Sequence, residues 1–530
     1  MASASPKKST RAKSKPSSEF YDKLVLNLFL IHLFGIDVFS PQYMAGKDGK
    51  RQSVRPFRKL SERLETCTQD GLADDGLHYY YHELVEGDFF GWPGCRLSPD
   101  MLLAYEKNIV RHTERINASR RDPIQWKYYQ WLTLLFVEIY LDRFFGNREK
   151  LLTDLNKFVE QFNRANAENG LSVSAYRPTD LNKICLQNAT GSGKTLLMTA
   201  NYWQYRFYEA KYRTLDRDNG LTFLLTPNER LSAQDAEEFN RSGHYCVPYS
   251  KGAGNGNAIY TLEVQKLAEK DGDKSVAVSS LGDRNLLFID EGHAGLSGKE
   301  TGVWYAYRSM LCEKGFAFEY SATFKQAVAG TVLEDEYARA ILFDYSYRWF
   351  YEDGYGKDYQ IFNLPAPQES SAKDDALLEL YLTASLLKFF QQLLVYAEKR
   401  LEIKPFNIEK PLWVWVGHSV AGKSKEDSLA LSDIAKILKF LGRFLKNPDL
   451  FCGYIVKLLT QAGGETSLMD KENHDLFYGA FHVLKQFKNN SNDLTGARIY
   501  DKILKELFHA SRSEERRVGK ECRSRWSPYH

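Results

Sequence analysis

The sequence predicts an α/β fold in which helices cover a parallel sheet. Short apolar runs at 184–186, 221–225 and 286–289 each have the length and composition of a buried strand. Helix-like segments at 196–202 and 229–239 follow the first two of these runs. A strand, a helix and a further strand in succession favour parallel pairing, because the connecting helix must cross one face of the sheet.

Length and composition indicate a multi-domain protein with large cores and almost balanced charge. The chain has 530 residues, of which 43% are hydrophobic and 14% aromatic. A chain of this length favours about three domains. Lys and Arg total 71 against 68 Asp and Glu, a net charge of +3. This balance does not require a polyanionic partner, so a nucleic-acid site would have to be a local patch.

The cysteines and the apolar runs restrict the class of protein further. The seven cysteines form no C-x-x-C pair and have no histidine at ligand spacing, which argues against a structural zinc site. No apolar run approaches eighteen residues, and the N-terminus lacks a hydrophobic signal core. We therefore expect a cytoplasmic protein with reduced thiols and no membrane segment.

The N-terminal third divides into a basic tail and a helical region. Residues 1–19 carry five basic side chains before the first acid and predict a disordered tail, which is either simply solvated or touches DNA. Apolar residues recur at helical spacing from 20 onward and most clearly over 99–163. The aromatic residues of 124–136 are expected to belong to the core of this mainly helical region.

A glycine-rich phosphate loop lies at 188–195, where the sequence reads N-A-T-G-S-G-K-T. It fits G-x-x-x-x-G-K-[ST] once Asn188 is allowed at the first glycine, and it lies between a strand and a helix as the motif requires. The glycines let backbone N–H groups surround phosphates at the positive end of a helix. ATP and Mg²⁺ are the expected cofactors, with Lys194 at the β- and γ-phosphates and the Thr195 hydroxyl at the metal. The loop residues expected to bind nucleotide are Thr190, Gly191, Ser192, Gly193, Lys194 and Thr195.

Gln130 is a candidate for recognition of the nucleotide base. In many nucleic-acid-stimulated ATPases a Y-Q element upstream of the phosphate loop reads adenine through the glutamine amide, which offers one donor and one acceptor group. Tyr129 and Gln130 match this element. The alternative interpretation is an ordinary amphipathic helix.

Two carboxylates follow the apolar strand at 286–289. Magnesium-dependent phosphoryl transfer needs a carboxylate for the metal, and Asp290 fits that role. It also needs a base or an orienting group for the attacking water, which Glu291 can supply. His293 is expected to hydrogen-bond across the cleft and report the nucleotide state.

Small hydroxyl residues follow the next apolar run, at 316–320. Ser321 and Thr323 are suited to hydrogen bonds that couple the nucleotide site to a neighbouring site. Taken alone, this short element is a weak indicator of function.

The four elements A-T-G-S-G-K-T, T-P-N with a following L-x-x-Q, D-E-G-H and S-A-T occur in this order. They resemble motifs I, Ia, II and III of superfamily-two helicases of the DEAD/DEAH-box type, and most closely the Res subunit of type III restriction enzymes, the ATPase and translocase part. The resemblance covers about 181–345. It implies two RecA-like domains that form an ATP-driven motor on DNA, with Pro227 and Asn228 beside the nucleic-acid track. It also implies a modification methyltransferase subunit as a partner.

With this resemblance, the sequence divides into six parts. They are a disordered basic tail (1–19), a mainly helical N-terminal region (20–180), a first RecA-like ATP-binding domain (181–345), a helical linker (346–409), a partial second RecA-like domain (410–510) that opens with a strand at 411–417, and a basic tail of non-native character (511–530).

The last two parts suggest an interrupted reading frame. No arginine-bearing motif VI is recognisable in 410–510, and the tail at 511–530 resembles translated vector sequence. A nucleic-acid-binding arm is the alternative interpretation of that tail. We therefore expect a C-terminally truncated chain in which no nuclease domain is visible.

The function expected from the sequence is that of an ATP-dependent DNA helicase or translocase, the motor of a restriction or phage-defence enzyme. Two alternatives remain open: an RNA helicase, and a nucleotide-gated scaffold protein that does not translocate. The dependence of ATP hydrolysis on duplex DNA, single strands and RNA separates these alternatives.

Overall fold

The structure is a computed structural model that forms two compact units, Met1–Lys357 and Asp358–His530. The residues that it describes are 19–40, 42–45, 51–54, 56–67, 69–87, 90, 94–212, 220–254, 257–272, 275–294, 296, 301–357, 359–362, 364, 372–404, 408–416, 433–460, 468–487 and 492–511. The basic tails predicted at 1–19 and 511–530 lie outside these residues except for Glu19 and Ser511.

The first unit combines helices with a central sheet. Its helices are α1 (Glu19–Asp22), α2 (Val25–His32), α3 (Pro56–Glu65), α4 (Tyr79–Glu86), α5 (Pro99–Asn117), α6 (Tyr128–Gly146), α7 (Arg148–Ala165), α8 (Lys194–Lys211), α9 (Glu229–Arg241), α10 (Thr301–Leu311), α11 (Phe324–Val328), α12 (Glu334–Ala340) and α13 (Tyr347–Glu352). Its strands are β1 (Gln42–Ala45), β2 (Arg51–Val54), β3 (Lys183–Asn188), β4 (Thr222–Thr226), β5 (Cys246–Pro248), β6 (Ile259–Glu263), β7 (Leu267–Ala268), β8 (Val276–Ala277), β9 (Leu286–Ile289), β10 (Phe316–Ser321) and β11 (Ile341–Tyr345).

Seven strands form one parallel sheet in the order β11-β3-β10-β9-β4-β6-β5. All residues of β4, β9 and β10 are buried, as expected for strands covered by helices on both faces. The predicted α/β class with a helix-covered parallel sheet is therefore confirmed. Because all seven strands run in one direction, β3, β9 and β10 end at the same edge of the sheet, where open α/β sheets bind their ligands.

The helical N-terminal region shares one hydrophobic core with the sheet. Helix α6 is buried around its whole circumference, with Trp131 and Phe136 fully enclosed. Helix α2 packs on β11, where the Asn27 side-chain amide donates to the carbonyl oxygen of Leu342 at 2.9 Å. The regions 20–180 and 181–345, predicted as separate parts, belong to one compact unit in the structure. A helix that is apolar on every side needs neighbours on every side, and the sheet is one of them.

The second unit has a helical core of its own, made by α14 (Ala372–Ile403), α15 (Asp433–Lys446), α16 (Pro448–Thr460) and α17 (Asn492–Leu507). Helix α14 lies within 346–409, the region expected to be a helical linker. No helix among the described residues is long and apolar enough to cross a bilayer.

The strand expected at 411–417 does not form over its described residues, 411–416, and this prediction is wrong there. The side chain of Trp413 packs against Phe389, with ring centroids 5.5 Å apart. The alternate residues Leu412 and Val416 are 81% and 92% exposed. Alternation of apolar residues signals a strand only where a neighbouring strand accepts its hydrogen bonds, and no ladder forms among the described residues of this unit. Within the described residues of 410–510 the α-helices are α15, α16 and α17, and no strand is present, which differs from the α/β unit predicted there.

Candidate functional site

The phosphate loop joins the end of β3 to the start of α8. Gly191 and Gly193 have φ angles of 84° and 88°, a left-handed backbone that glycine adopts without a Cβ penalty. A Cβ atom on Gly193 would lie 2.5 Å from the Nε2 atom of Gln130. The amide of Ala189 donates to the Tyr345 carbonyl at 2.9 Å and so fixes the loop to β11. The residues between the two elements therefore form a tight turn in front of a helix N-terminus.

Lys194 and Glu291 meet although 97 residues separate them along the chain. The Lys194 Nζ atom lies 3.1 Å from Glu291 Oε1, and both side chains are largely buried. Strand β10 lies between β3 and β9, so the contact spans two strand spacings at the carboxyl edge. The fold therefore brings the phosphate-loop lysine to the acidic turn after β9; the chemical roles of these residues stay predictions.

Glu291 is held as an ionised group. A hydrogen bond from His293, with a further contribution from Lys194, lowers the pKa of Glu291 to about 2. His293 Nδ1 lies 3.3 Å from Glu291 Oε2 and 2.8 Å from Ser321 Oγ. Glu291 also has a φ angle of 50°, an uncommon conformation for a residue with a Cβ and one that clusters at functional sites. The turn thus presents a strong acceptor beside the phosphate loop.

Asp290 and Thr195 offer oxygen atoms suited to magnesium. Asp290 is buried, its Oδ1 atom has no hydrogen-bond partner within the described residues, and burial raises its pKa. Mg²⁺ prefers oxygen ligands and usually retains waters and phosphate oxygens beside one or two protein groups. A buried carboxylate oxygen without a partner among the described residues, together with the hydroxyl at the N-terminus of α8, offers ligands of the kind that such an ion binds.

Comparison with known families agrees with this geometry. Residues 148–326 match the family model described as type III restriction enzyme, res subunit. Residues 148–326 form a ResIII domain. This domain is related to helicase superfamily 2 and belongs to a helicase-like ATPase motor family that uses ATP with Mg²⁺. A comparison with curated proteins finds no match.

The ResIII domain contains a further buried carboxylate, in contact with Thr195, that the sequence did not reveal. Asp235 lies on α9, and its Oδ1 atom accepts a hydrogen bond from the Thr195 hydroxyl at 3.2 Å. Burial and the charge of Asp290 raise the pKa of Asp235 to about 7. The only signal in the sequence was its position one residue after Gln234 of the L-x-x-Q element.

Arg308 binds the backbone of the acidic turn of the ResIII domain, and the sequence did not reveal this role either. Its guanidinium is buried and donates to the carbonyl oxygens of Gly292 at 2.8 Å and Ala294 at 2.6 Å. The backbone is tightly packed at Gly292, because an added Cβ would lie 3.1 Å from Glu319 Oε2, closer than ordinary van der Waals contact. No sequence motif marks an arginine that binds backbone carbonyls.

We expect Arg308→Met to destabilise the first unit by about 1–3 kcal/mol, because two carbonyl oxygens lose their charged donor. Chemical denaturation monitored by circular dichroism measures this loss. The matched control is Arg241→Met, which removes an exposed partner of Glu237 on α9 and should change stability by less than about 0.5 kcal/mol. Equal effects of the two substitutions would contradict the bracing role.

Gln130 lies outside the ResIII match and contacts the phosphate loop instead of an open pocket. Its Nε2 donates to the Ser192 carbonyl at 2.8 Å, and its Oε1 accepts from the Lys127 amide at 2.9 Å. In this arrangement the side-chain amide positions the loop. Recognition of adenine by Gln130 stays a prediction.

The remaining predicted residues lie at the same sheet edge. Ser321 Oγ accepts from the Thr323 amide at 3.0 Å, so Ser321 is joined to both Thr323 and His293. Pro227 and Asn228 follow β4, where the Asn228 side chain caps α9 by accepting from Leu231 at 3.0 Å. The carbonyl oxygen of Pro227 accepts a hydrogen bond from the Gln265 side-chain amide at 3.0 Å.

Proposed function

We propose that this chain is an ATP-dependent DNA translocase or helicase that couples Mg-ATP hydrolysis to movement along DNA. Its place would be the motor part of a type III restriction or phage-defence enzyme, beside a modification subunit. The observation that carries the proposal is the 3.1 Å contact between Lys194 Nζ and Glu291 Oε1. It supports a site where the phosphate-binding lysine and the acidic turn act on one triphosphate, and the ResIII match favours DNA as the track.

In this proposal each side chain has one task. When the triphosphate enters the site, the Lys194 ammonium group leaves Glu291 and binds the β- and γ-phosphate oxygens. Thr195 and Asp290 would hold a magnesium ion, which would supply positive charge to the phosphate oxygens. Glu291 is already ionised, so it accepts a hydrogen bond from the attacking water and orients it.

His293 and Ser321 supply the proposed link from the nucleotide to the rest of the motor. His293 Nδ1 lies between the carboxylate of Glu291 and the hydroxyl of Ser321 at the end of β10. A change in the hydrogen bonds of Glu291 during turnover therefore reaches the backbone of Thr323 through two side chains.

Stimulation of ATP hydrolysis by polynucleotides tests the substrate. At one fixed salt concentration, we expect duplex or single-stranded DNA to raise the ATPase rate and RNA of equal length to raise it less. Salt must be fixed because phosphate contacts weaken steeply as it rises. Stronger stimulation by RNA would indicate an RNA helicase. ATP binding without stimulation by any polynucleotide would indicate a nucleotide-gated scaffold.

A further inference from the structure

Asp235 is a buried carboxylate that has no charged partner at hydrogen-bonding distance within the described part of the chain. Its side chain is 1% exposed, and its Oδ1 atom accepts from the Thr195 hydroxyl. Its Oδ2 atom is buried and has no hydrogen-bond partner among the residues that the structure describes. The two neighbouring carboxylates on α9 differ, because Glu237 pairs with Arg241 and Glu238 pairs with Arg120.

Asp290 has a second buried carboxylate oxygen without a donor. Among the residues that the structure describes, its Oδ1 atom has no hydrogen-bond partner, and the charge of Asp290 acts on Asp235. Burying a carboxylate oxygen without a donor is costly, and a bound water or ion is one way in which native folds satisfy such an atom. A divalent cation with its waters supplies both positive charge and hydrogen-bond donors, and therefore satisfies both oxygens.

The hydroxyl of Thr195 determines how Asp235 can act. A threonine hydroxyl has one hydrogen and two lone pairs. Because the Thr195 hydroxyl donates its hydrogen to Asp235, the lone pairs of its oxygen, which point away from Asp235, remain available for a cation. Groups that accept such hydrogens orient the metal ligand and are a regular part of metal sites.

We propose that Asp235 is a positioning residue for the magnesium ion: its Oδ1 atom orients the Thr195 hydroxyl toward the cation, and its Oδ2 atom accepts a hydrogen bond from a cation-bound water. This inference rests on the proposed function. The described residues contain no group of three or more His, Cys, Asp or Glu side chains placed for a metal, so nucleotide phosphates complete the site. Asp235 accordingly affects cation affinity only when nucleotide is bound.

The test measures Mn²⁺ binding to the full chain in the presence of ADP, by the electron paramagnetic resonance signal of free Mn²⁺. We expect Asp235→Asn to raise the Mn²⁺ dissociation constant about 10-fold to 100-fold, the usual effect of removing a group that orients a metal ligand. Asp235→Ala removes both oxygens and should weaken Mn²⁺ binding further. Glu237→Gln is the control, because it removes one carboxylate from the exposed side of α9 and should change nothing.

Binding of fluorescent ADP in EDTA separates a positioning role from a structural one. Asp235→Asn should bind metal-free ADP with wild-type affinity and retain the wild-type melting temperature to within a few degrees. Wild-type Mn²⁺ affinity in Asp235→Asn, or an equal loss of metal-free ADP binding, would overturn the inference. Failure of the wild-type chain to bind ADP in a Lys194-dependent manner would instead contradict the proposed function.

Discussion

Lys194→Ala loses ATP turnover and binds ATP about 10-fold to 100-fold more weakly than the wild type. A hydrogen bond to a charged group is worth about 1.5–3 kcal/mol, and the alanine variant loses such a contact to the phosphates. The Lys194 Nζ atom is held in place before nucleotide arrives, 3.1 Å from Glu291 Oε1. Titration with fluorescent ATP and a phosphate-release assay measure the two effects.

The control for Lys194 lies on the same helix. Lys211 ends α8, pairs with Asp142 at 2.8 Å and is far more exposed than Lys194. Lys211→Ala removes the same charge, so any general effect of charge on ATP binding appears in both variants. Equal ATP affinity in Lys194→Ala and Lys211→Ala would exclude the phosphate loop as the nucleotide site.

Glu291→Gln keeps ATP binding and loses hydrolysis by about 10²-fold to 10⁴-fold, the usual contribution of a base or water-orienting group. The substitution preserves the shape of the side chain and removes its charge. The substitution also weakens the interaction of residue 291 with Lys194. The variant therefore binds ATP with an affinity equal to or higher than that of the wild type. Single-turnover hydrolysis of bound ATP measures the chemical step apart from binding.

An exposed carboxylate in the same unit serves as the control for Glu291. Glu313 precedes β10 and is exposed, so Glu313→Gln should leave the rate of hydrolysis unchanged. Hydrolysis at the wild-type rate in Glu291→Gln would assign the water-orienting role to another residue. Loss of ATP binding in Glu291→Gln would instead make the contact with Lys194 a structural requirement of the loop.

The sheet and its ligand-binding edge could be predicted because their signals are local. A continuous apolar run such as 286–289 indicates a covered strand, and polar residues directly after it must lie at the carboxyl edge. The contact of Lys194 with Glu291 follows from that rule, since β3 and β9 run in the same direction.

Residues that act through folded geometry could not be predicted in this way. Asp235 reaches Thr195 only because α9 packs beside the phosphate loop, and a single aspartate on an amphipathic helix usually faces solvent. Arg308 binds backbone carbonyls, which are the same in every sequence. The residues at 411–416 were predicted as a strand from a local pattern and do not form one. Their apolar residues alternate as in a strand, but no neighbouring strand pairs with them among the described residues.

The central claim is that Lys194, Thr195, Asp290 and Glu291 surround one magnesium-bound triphosphate. A crystal structure of the Glu291→Gln chain with Mg²⁺ and ATP tests it most directly. The account predicts the triphosphate in the turn at 190–195, with Lys194 Nζ at the β- and γ-oxygens and the metal ion between Thr195 and Asp290. A triphosphate bound elsewhere, or a metal ion that neither Thr195 nor Asp290 approaches, would contradict it.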